Sequence, residues 1–144
     1  MKLLKFFPLI IFLILSVFLY NKIKFKKELE PLSSALVEKK FPNLKIKSLD
    51  SNESINNFID NKFVVINIFA SWCAPCRIEH EVLKNFSKEY TIIGIAYKDS
   101  IKNIESFLQE LGNPYDKVFY DFSGKESINL GLYVVPETFF VNKD

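Results

Sequence analysis

The sequence has few of the residues that build metal centres or disulfide scaffolds. Its 144 residues include two cysteines and one histidine. Two cysteines cannot form a framework of several disulfides. A structural zinc site requires four ligands, whereas the two cysteines and the histidine together supply three at most. We therefore expect one domain held by an ordinary apolar core, without a metal.

Excess basic charge is absent from most of the chain. Residues 28–144 contain 13 basic and 17 acidic residues, a net charge of −4, whereas residues 1–27 contain six lysines and no acid. The net charge of +2 for the whole chain therefore comes from its N-terminal segment. Because nucleic-acid-binding domains carry a basic patch on their folded part, this distribution argues against nucleic acid as a partner.

The N-terminal segment is apolar but has no small residues at which a signal peptide would be cleaved. Residues 3–20 include 15 apolar residues among 18. A helix of that length rises about 27 Å, close to the hydrocarbon thickness of a bilayer. Since residues 19–22 (LYNK) offer no cleavage site, we expect an uncleaved signal anchor in residues 1–27, with a transmembrane helix at 3–20. A cleaved signal peptide and a buried core helix are the alternatives, and lysines on both flanks leave the orientation undecided.

Residues 28–144 alternate between strand and helix patterns and are expected to form one domain. Continuous apolar runs at 63–70 and 91–97 are typical of buried strands. Residues 74–90 predict an amphipathic helix. The apolar stripe of this helix consists of Ile78, Val82, Leu83 and Phe86. The other predicted elements are strands at 44–47, 117–120 and 137–141 and helices at 54–60, 101–111 and 125–130. This order indicates α/β layers around a central sheet.

A CxxC motif lies between the first buried strand and the amphipathic helix. Cys73 falls at the helix N-terminus, where unpaired N–H groups and the helix dipole stabilise a thiolate. Cys76 lies one turn into the helix, where it could attack a mixed disulfide formed at Cys73, and Pro75 in the first turn sacrifices no hydrogen bond. Haem attachment requires CxxCH, and Arg77 occupies the histidine position. A redox dithiol is favoured over a purely structural disulfide, which would close only a very short loop.

Several further stretches extend the motif into a family resemblance. They are SALVEKKFPNLKIKSLD (34–50), VINIFASWCAPCRIEH (65–80), IGIAYKDS (93–100), FLQELGNPY (107–115) and GLYVVPETFFVN (131–142). With these stretches the chain resembles the membrane-anchored thioredoxin-like proteins of cytochrome c biogenesis, the DsbE/CcmG family of thiol:disulfide interchange proteins. The resemblance implies an α/β thioredoxin-like fold, with a central mixed sheet flanked by helices and an N-terminal transmembrane helix. Its only redox group would be the Cys73–Cys76 disulfide.

The resemblance also implies a function, partners and a location. Such proteins reduce the CxxCH disulfide or mixed disulfide of apocytochrome c, and their partners include apocytochrome c or a haem-ligation component. They receive electrons from a transmembrane thiol carrier of the DsbD/CcdA kind. The expected location is the inner (cytoplasmic) membrane, crossed once, with the redox domain facing the periplasm.

The resemblance assigns roles to residues around the motif. Cys73 is expected to be the attacking thiolate and Cys76 the resolving thiol, while Trp72 shields the site or is simply a partly buried aromatic residue. Pro136 matches the family's cis-proline. The backbone of Val135 would then pair with the client peptide.

Acidic residues are the remaining site candidates. Glu79 matches an acidic position that could tune the thiols or relay a proton, with an exposed helix glutamate as the alternative, and Glu137 is a second acidic candidate. Asn67 stands where thioredoxins carry a buried aspartate, which increases the interest of both glutamates. His80 is expected to be a structural or surface residue rather than a catalytic base.

The chain departs from the family pattern in two places. Val134 replaces a common glycine, which could narrow the client groove. The chain ends after the strand that follows Pro136, whereas family members continue with another strand and a helix. We therefore expect an incomplete sheet edge and reduced stability. The alternative functions are a reductase with other clients, a disulfide-forming oxidase, and a truncated, non-catalytic membrane-tethered remnant or interaction module.

Overall fold

A computed structural model describes residues 6–24, 39–48, 50–59 and 62–142. The chain divides into two compact units, Met1–Ser34 and Ala35–Asp144. The predicted boundary between residues 27 and 28 lies within 25–38, outside the described residues.

The first unit contains helix α1, Phe7–Lys24. Within the four described ranges, no helix is both long and apolar enough to cross a membrane. The transmembrane helix predicted at 3–20 includes residues 3–5, which lie outside the described part, and stays a prediction.

The second unit is built on one five-stranded sheet. Its strands are β1 (Lys47–Ser48), β2 (Val64–Phe69), β3 (Ile92–Tyr97), β4 (Lys117–Asp121) and β5 (Glu137–Val141). Their order across the sheet is β1-β4-β3-β2-β5. The three central strands are parallel, while β1 and β5 pair antiparallel with β4 and β2. The predicted mixed central sheet is confirmed.

Four helices complete this unit: α2 (Ile55–Ile59), α3 (Ala74–Phe86), α4 (Ile101–Leu111) and α5 (Lys125–Asn129). Ser100 caps α4, since its side chain accepts a hydrogen bond from the backbone N–H of Asn103. Gly112 ends α4 at φ 85°, a conformation that favours glycine. Helix α3 ends four residues before the predicted end at 90.

Apolar cores cover both faces of the sheet. One core contains the two cysteines with Phe69, Phe107 and neighbouring residues, and the other contains Leu44, Ile66, Phe119 and their neighbours. Every residue of β2 is buried, as its continuous apolar run predicts. The polar residue in this strand is Asn67, which precedes the CxxC motif by six positions and is 1% exposed.

The strand predicted at 44–47 is shorter than expected and shifted. Leu44 and Ile46 are buried, as the alternation predicts. The backbone N–H of Leu44, however, donates to the side chain of Asn56 rather than to a neighbouring strand. Pairing with β4 begins only at Lys47, so β1 contains two residues.

The apolar stripe predicted for α3 is confirmed at Leu83 but wrong at Ile78, Val82 and Phe86, which are exposed. The buried residues of α3 are Cys76, His80 and Leu83. Ile78 and Val82 are exposed instead. Each follows a buried residue by two positions, which is a rotation of about 200° around the helix. Because Cys76 faces the sheet, Ile78 and Val82 point away from it.

Candidate active site

The CxxC cysteines form a disulfide at the start of α3. Cys73 is the N-cap of this helix and its sulfur accepts a hydrogen bond from the backbone N–H of Cys76 at 3.2 Å. The two Cα atoms are 5.3 Å apart. Pro75 lies in the first turn, where helix N–H groups have no partner within the helix. In the reduced protein the same N–H group and the helix dipole would stabilise a thiolate at Cys73.

The loop before the motif is held by Asp99, which the sequence analysis did not identify. Its carboxylate accepts hydrogen bonds from the backbone N–H of Ser71 at 2.6 Å and of Ser100 at 2.8 Å. Asp99 is buried, so these two donors compensate for the loss of hydration of its carboxylate. The indole N–H of Trp72 donates to the carbonyl of Lys98 at 3.2 Å. The Trp72 side chain itself is 59% exposed and thus presents an apolar surface beside the disulfide.

The loop before β5 carries the predicted cis-proline. The Val135–Pro136 peptide bond is cis, and both residues are half-buried. The side chain of Val135 packs against both cores. Tyr133 and Val134 are exposed on the same loop. The pairing of the Val135 backbone with a client peptide stays a prediction.

The two acidic candidates have different surroundings. Glu137 begins β5, and its carboxylate accepts a hydrogen bond from the backbone N–H of Tyr133 at 2.9 Å. It therefore closes the loop that contains Pro136. Glu79 is half-buried. Its carboxylate accepts hydrogen bonds from Asn67 at 3.2 Å and from the hydroxyl of Thr138 at 3.4 Å.

A buried hydrogen-bond network surrounds Asn67 on β2. The Asn67 amide nitrogen donates to Glu79 and also to Thr138 at 3.1 Å. Its amide oxygen accepts the hydroxyl of Tyr115 at 2.9 Å. Burial, with a smaller contribution from the negative charge of Glu79, raises the pKa of Tyr115 well above its usual value. Tyr115 is therefore a neutral hydrogen-bond donor at any physiological pH.

His80 lies in the core on α3. Its Nε2 is 2.7 Å from the carbonyl oxygen of Gly112, to which it donates. Its ring packs edge-on against Phe107 and Tyr115. This placement agrees with the structural role expected for His80.

The redox group of the site is the disulfide itself. Among the residues that the structure describes, no group of three or more His, Cys, Asp or Glu side chains could hold a metal ion. A disulfide that caps the start of a helix can exchange electrons with other thiols and disulfides.

The chain matches a family model described as redoxin over residues 36–144. It is 36% identical to the thiol:disulfide interchange protein DsbE of Haemophilus influenzae over 141 residues, which is 94% of this chain and 78% of that relative. The chain belongs to the redoxin family and is of the DsbE type. This DsbE-type redoxin is also 47% identical to the thiol:disulfide interchange protein CycY of Rhizobium leguminosarum over 88 residues. That match covers 60% of the chain and 47% of CycY, less than half of the relative's length.

Solved structures agree with this assignment at the level of the fold. A secreted disulfide oxidoreductase of Mycobacterium tuberculosis, described as homologous to the DsbE of Escherichia coli, superposes with a TM-score of 0.62 at 18% identity. The match covers 71% of the DsbE-type redoxin and 78% of the solved chain, which confirms the thioredoxin-like α/β fold. The DsbE-type redoxin is a thiol-disulfide oxidoreductase whose redox-active disulfide joins Cys73 and Cys76.

Proposed function

We propose that this protein is a periplasmic reductant that acts on the CxxCH disulfide or mixed disulfide of apocytochrome c during cytochrome c maturation. The observation that carries the proposal is the Cys73–Cys76 disulfide at the N-terminus of α3. The likeness to DsbE and CycY supports this assignment over a general thiol reductase.

The proposed reaction moves two electrons from the Cys73–Cys76 dithiol to the client disulfide. The Cys73 thiolate attacks one client sulfur, a mixed disulfide forms, and the other client sulfur leaves as a thiolate that takes up a proton. Cys76 then loses its proton and attacks Cys73. The Cys73–Cys76 bond forms, the mixed disulfide breaks, and the second client sulfur is protonated.

The oxidised protein must be reduced again before a second turnover. We propose that a transmembrane thiol carrier of the DsbD/CcdA kind supplies these two electrons by the reverse exchange. We also propose that the redox domain works at the periplasmic face of the inner membrane. The apolar, lysine-rich composition of residues 1–27 supports this location, and fractionation of cells that express the full chain tests it.

The client can be identified by trapping it on the protein. In a Cys76→Ser variant the mixed disulfide at Cys73 cannot be resolved, so the client remains covalently attached. We expect apocytochrome c to be recovered after non-reducing isolation from the periplasm, and released by reductant. A Cys73→Ser/Cys76→Ser variant is the matched control and should recover nothing.

Two results would contradict the proposal. Recovery of unrelated proteins, without apocytochrome c, would indicate a reductase with other clients. A reduction potential of about −120 mV would indicate a disulfide-forming oxidase, whereas a reductant should lie closer to thioredoxin, at roughly −270 mV.

A further inference from the structure

We propose that Tyr115 is a positioning residue for the second sulfur exchange. Its hydroxyl fixes the orientation of the Asn67 amide, and this amide holds the carboxylate of Glu79, one helical turn from Cys76, as the acceptor of the Cys76 proton. The inference deepens the proposed function, on which it rests, because it concerns the resolution of the mixed disulfide at Cys73.

The chain places Tyr115 through several independent contacts. The side chain of Asn113 accepts the backbone N–H of Tyr115 at 3.0 Å, which shapes the turn after α4. His80 anchors the same turn by its hydrogen bond to Gly112. The Tyr115 ring stacks on Phe69 with centroids 4.9 Å apart. These contacts direct the ring toward the sheet.

The sheet accommodates this ring only because β3 carries a glycine there. Gly94 is the register partner of Asn67 across the β2–β3 pair. A Cβ atom on Gly94 would lie 2.9 Å from two carbon atoms of the Tyr115 ring, closer than side-chain carbons pack. The missing side chain at Gly94 therefore lets the tyrosine lie over the sheet with its hydroxyl on Asn67.

The hydrogen bonds allow only one orientation of the Asn67 amide. Its nitrogen must face Glu79, because an amide oxygen in that position would oppose a carboxylate. Its oxygen then faces Tyr115, which supplies the required donor at 2.9 Å. Since a buried acceptor without a donor is unfavourable, removing the hydroxyl favours other orientations of the Asn67 amide.

Glu79 lies one helical turn beyond the resolving cysteine on α3. Cys76 and Glu79 are three positions apart on α3, so their side chains are neighbours on one side of the helix. When Cys76 attacks Cys73, its proton must be transferred before or during formation of the new S–S bond. Glu79 is an acidic group in a suitable place, and the first exchange at Cys73 does not require it.

Tyr115→Phe tests the proposal because it removes the hydroxyl and keeps the ring. The reduced full-length protein in detergent is mixed with 5,5′-dithiobis(2-nitrobenzoate), which releases one thionitrobenzoate when Cys73 attacks and a second when Cys76 resolves the mixed disulfide. We expect the first phase to stay within about twofold of the wild type. The second phase should slow about 5- to 10-fold. This is less than the slowing expected from losing a general base altogether, because Tyr115 acts only through the position of Glu79.

Three further single variants and one double variant separate positioning from stability. Tyr120→Phe removes a phenol hydroxyl outside the network and should change neither phase. Thr138→Val removes another hydroxyl bound to Glu79 and should slow the second phase even if Tyr115→Phe folds poorly. Glu79→Gln should slow the second phase at least as much, and adding Tyr115→Phe to it should have no further effect.

The proposal is overturned if Tyr115→Phe and Thr138→Val lower the melting temperature but leave the ratio of the two phases unchanged. It is also overturned if the effects of Tyr115→Phe and Glu79→Gln multiply. Because the probe is a small disulfide, these results do not depend on whether apocytochrome c is the client.

Discussion

At the scale of single residues, Asn67 and Glu79 form a complementary pair. The amide comes from β2 and the carboxylate from α3. The amide nitrogen donates to Glu79 at 3.2 Å. Two carboxylates at this distance could not both be charged. The amide at residue 67 is therefore required by the position of Glu79.

Asn67→Asp should destabilise the protein because it places two carboxylates against each other. We expect a loss of about 1–3 kcal/mol in the free energy of unfolding at pH 7.5, since one of the two must be protonated or left unpaired. The folded protein would then hold a proton that the unfolded chain releases. The loss should therefore grow as the pH rises and shrink toward pH 4. Urea unfolding at both pH values measures it.

The exchanged pair Asn67→Asp/Glu79→Gln is the matched control. It restores one carboxylate and one amide in reversed positions, and we expect it to recover most of the stability at pH 7.5. Equal stabilities for the single and double variants would show that the two residues do not interact.

Some site residues could be predicted from sequence because the pattern that identifies them lies within a few neighbouring positions. Cys73, Pro75 and Cys76 lie within four positions, between a strand and a helix whose patterns are clear. Tyr115 and Asp99 could not be predicted in the same way. Tyr115 reaches Asn67 across 48 positions, and Asp99 reaches Ser71 across 28. Only the tertiary structure shows that GNPY and YKDS supply these side chains.

At the scale of elements, helices α3 and α4 are joined beside the active site. Arg77 donates two hydrogen bonds to Glu110, at 2.9 and 2.8 Å, and its guanidinium lies over the ring of Phe107. The hydrogen bonds from Arg77 lower the pKa of Glu110, and those to Glu110 raise the pKa of Arg77. Arg77, which stands directly after the CxxC motif, thus connects two helices.

Glu110→Gln should weaken this connection in a pH-dependent way. Because the pKa of Glu110 is lower in the folded protein than in the unfolded chain, its stabilisation is present at neutral pH and is lost as the pH falls through the folded-state value. We expect the variant to melt slightly below the wild type at pH 7. The difference should shrink as the pH is lowered and disappear only once the pH is below the folded-state pKa of Glu110. Both side chains are exposed, so a large difference at pH 7 would contradict this account.

The elements themselves were predicted better than their orientations. Buried strands β2 and β3 and helix α4 follow from apolar runs, caps and a terminal glycine. Periodicity could not decide which side of α3 faces the sheet, because both sides carry apolar residues. The cysteine pair decides it, and Ile78 and Val82 turn outward as a result.

At the scale of the whole molecule, the Ala35–Asp144 unit has a large exposed apolar surface next to a sheet edge. Within the described residues, β5 pairs with β2 on one side and has no strand on the other. Ile78 is 79% exposed and Phe140 67% exposed. We call this the outer apolar surface, and its members are Phe63, Ile78, Val82, Phe86, Tyr90 and Phe140. An open apolar edge of this kind pairs readily with other chains.

Residues 28–144 should therefore self-associate through the outer apolar surface. We expect the apparent mass in sedimentation or light scattering to rise with protein concentration. Ile78→Lys/Phe140→Lys should keep the protein monomeric, because charge on the surface and a lysine on the edge strand oppose pairing. Ile101→Lys, at an exposed position on α4 outside this surface, should associate like the wild type. If all three proteins remain monomeric, the outer apolar surface is not an association surface. Unchanged release of both thionitrobenzoates by the double variant would show that the Cys73–Cys76 site is intact, so that the loss of association reflects the surface alone.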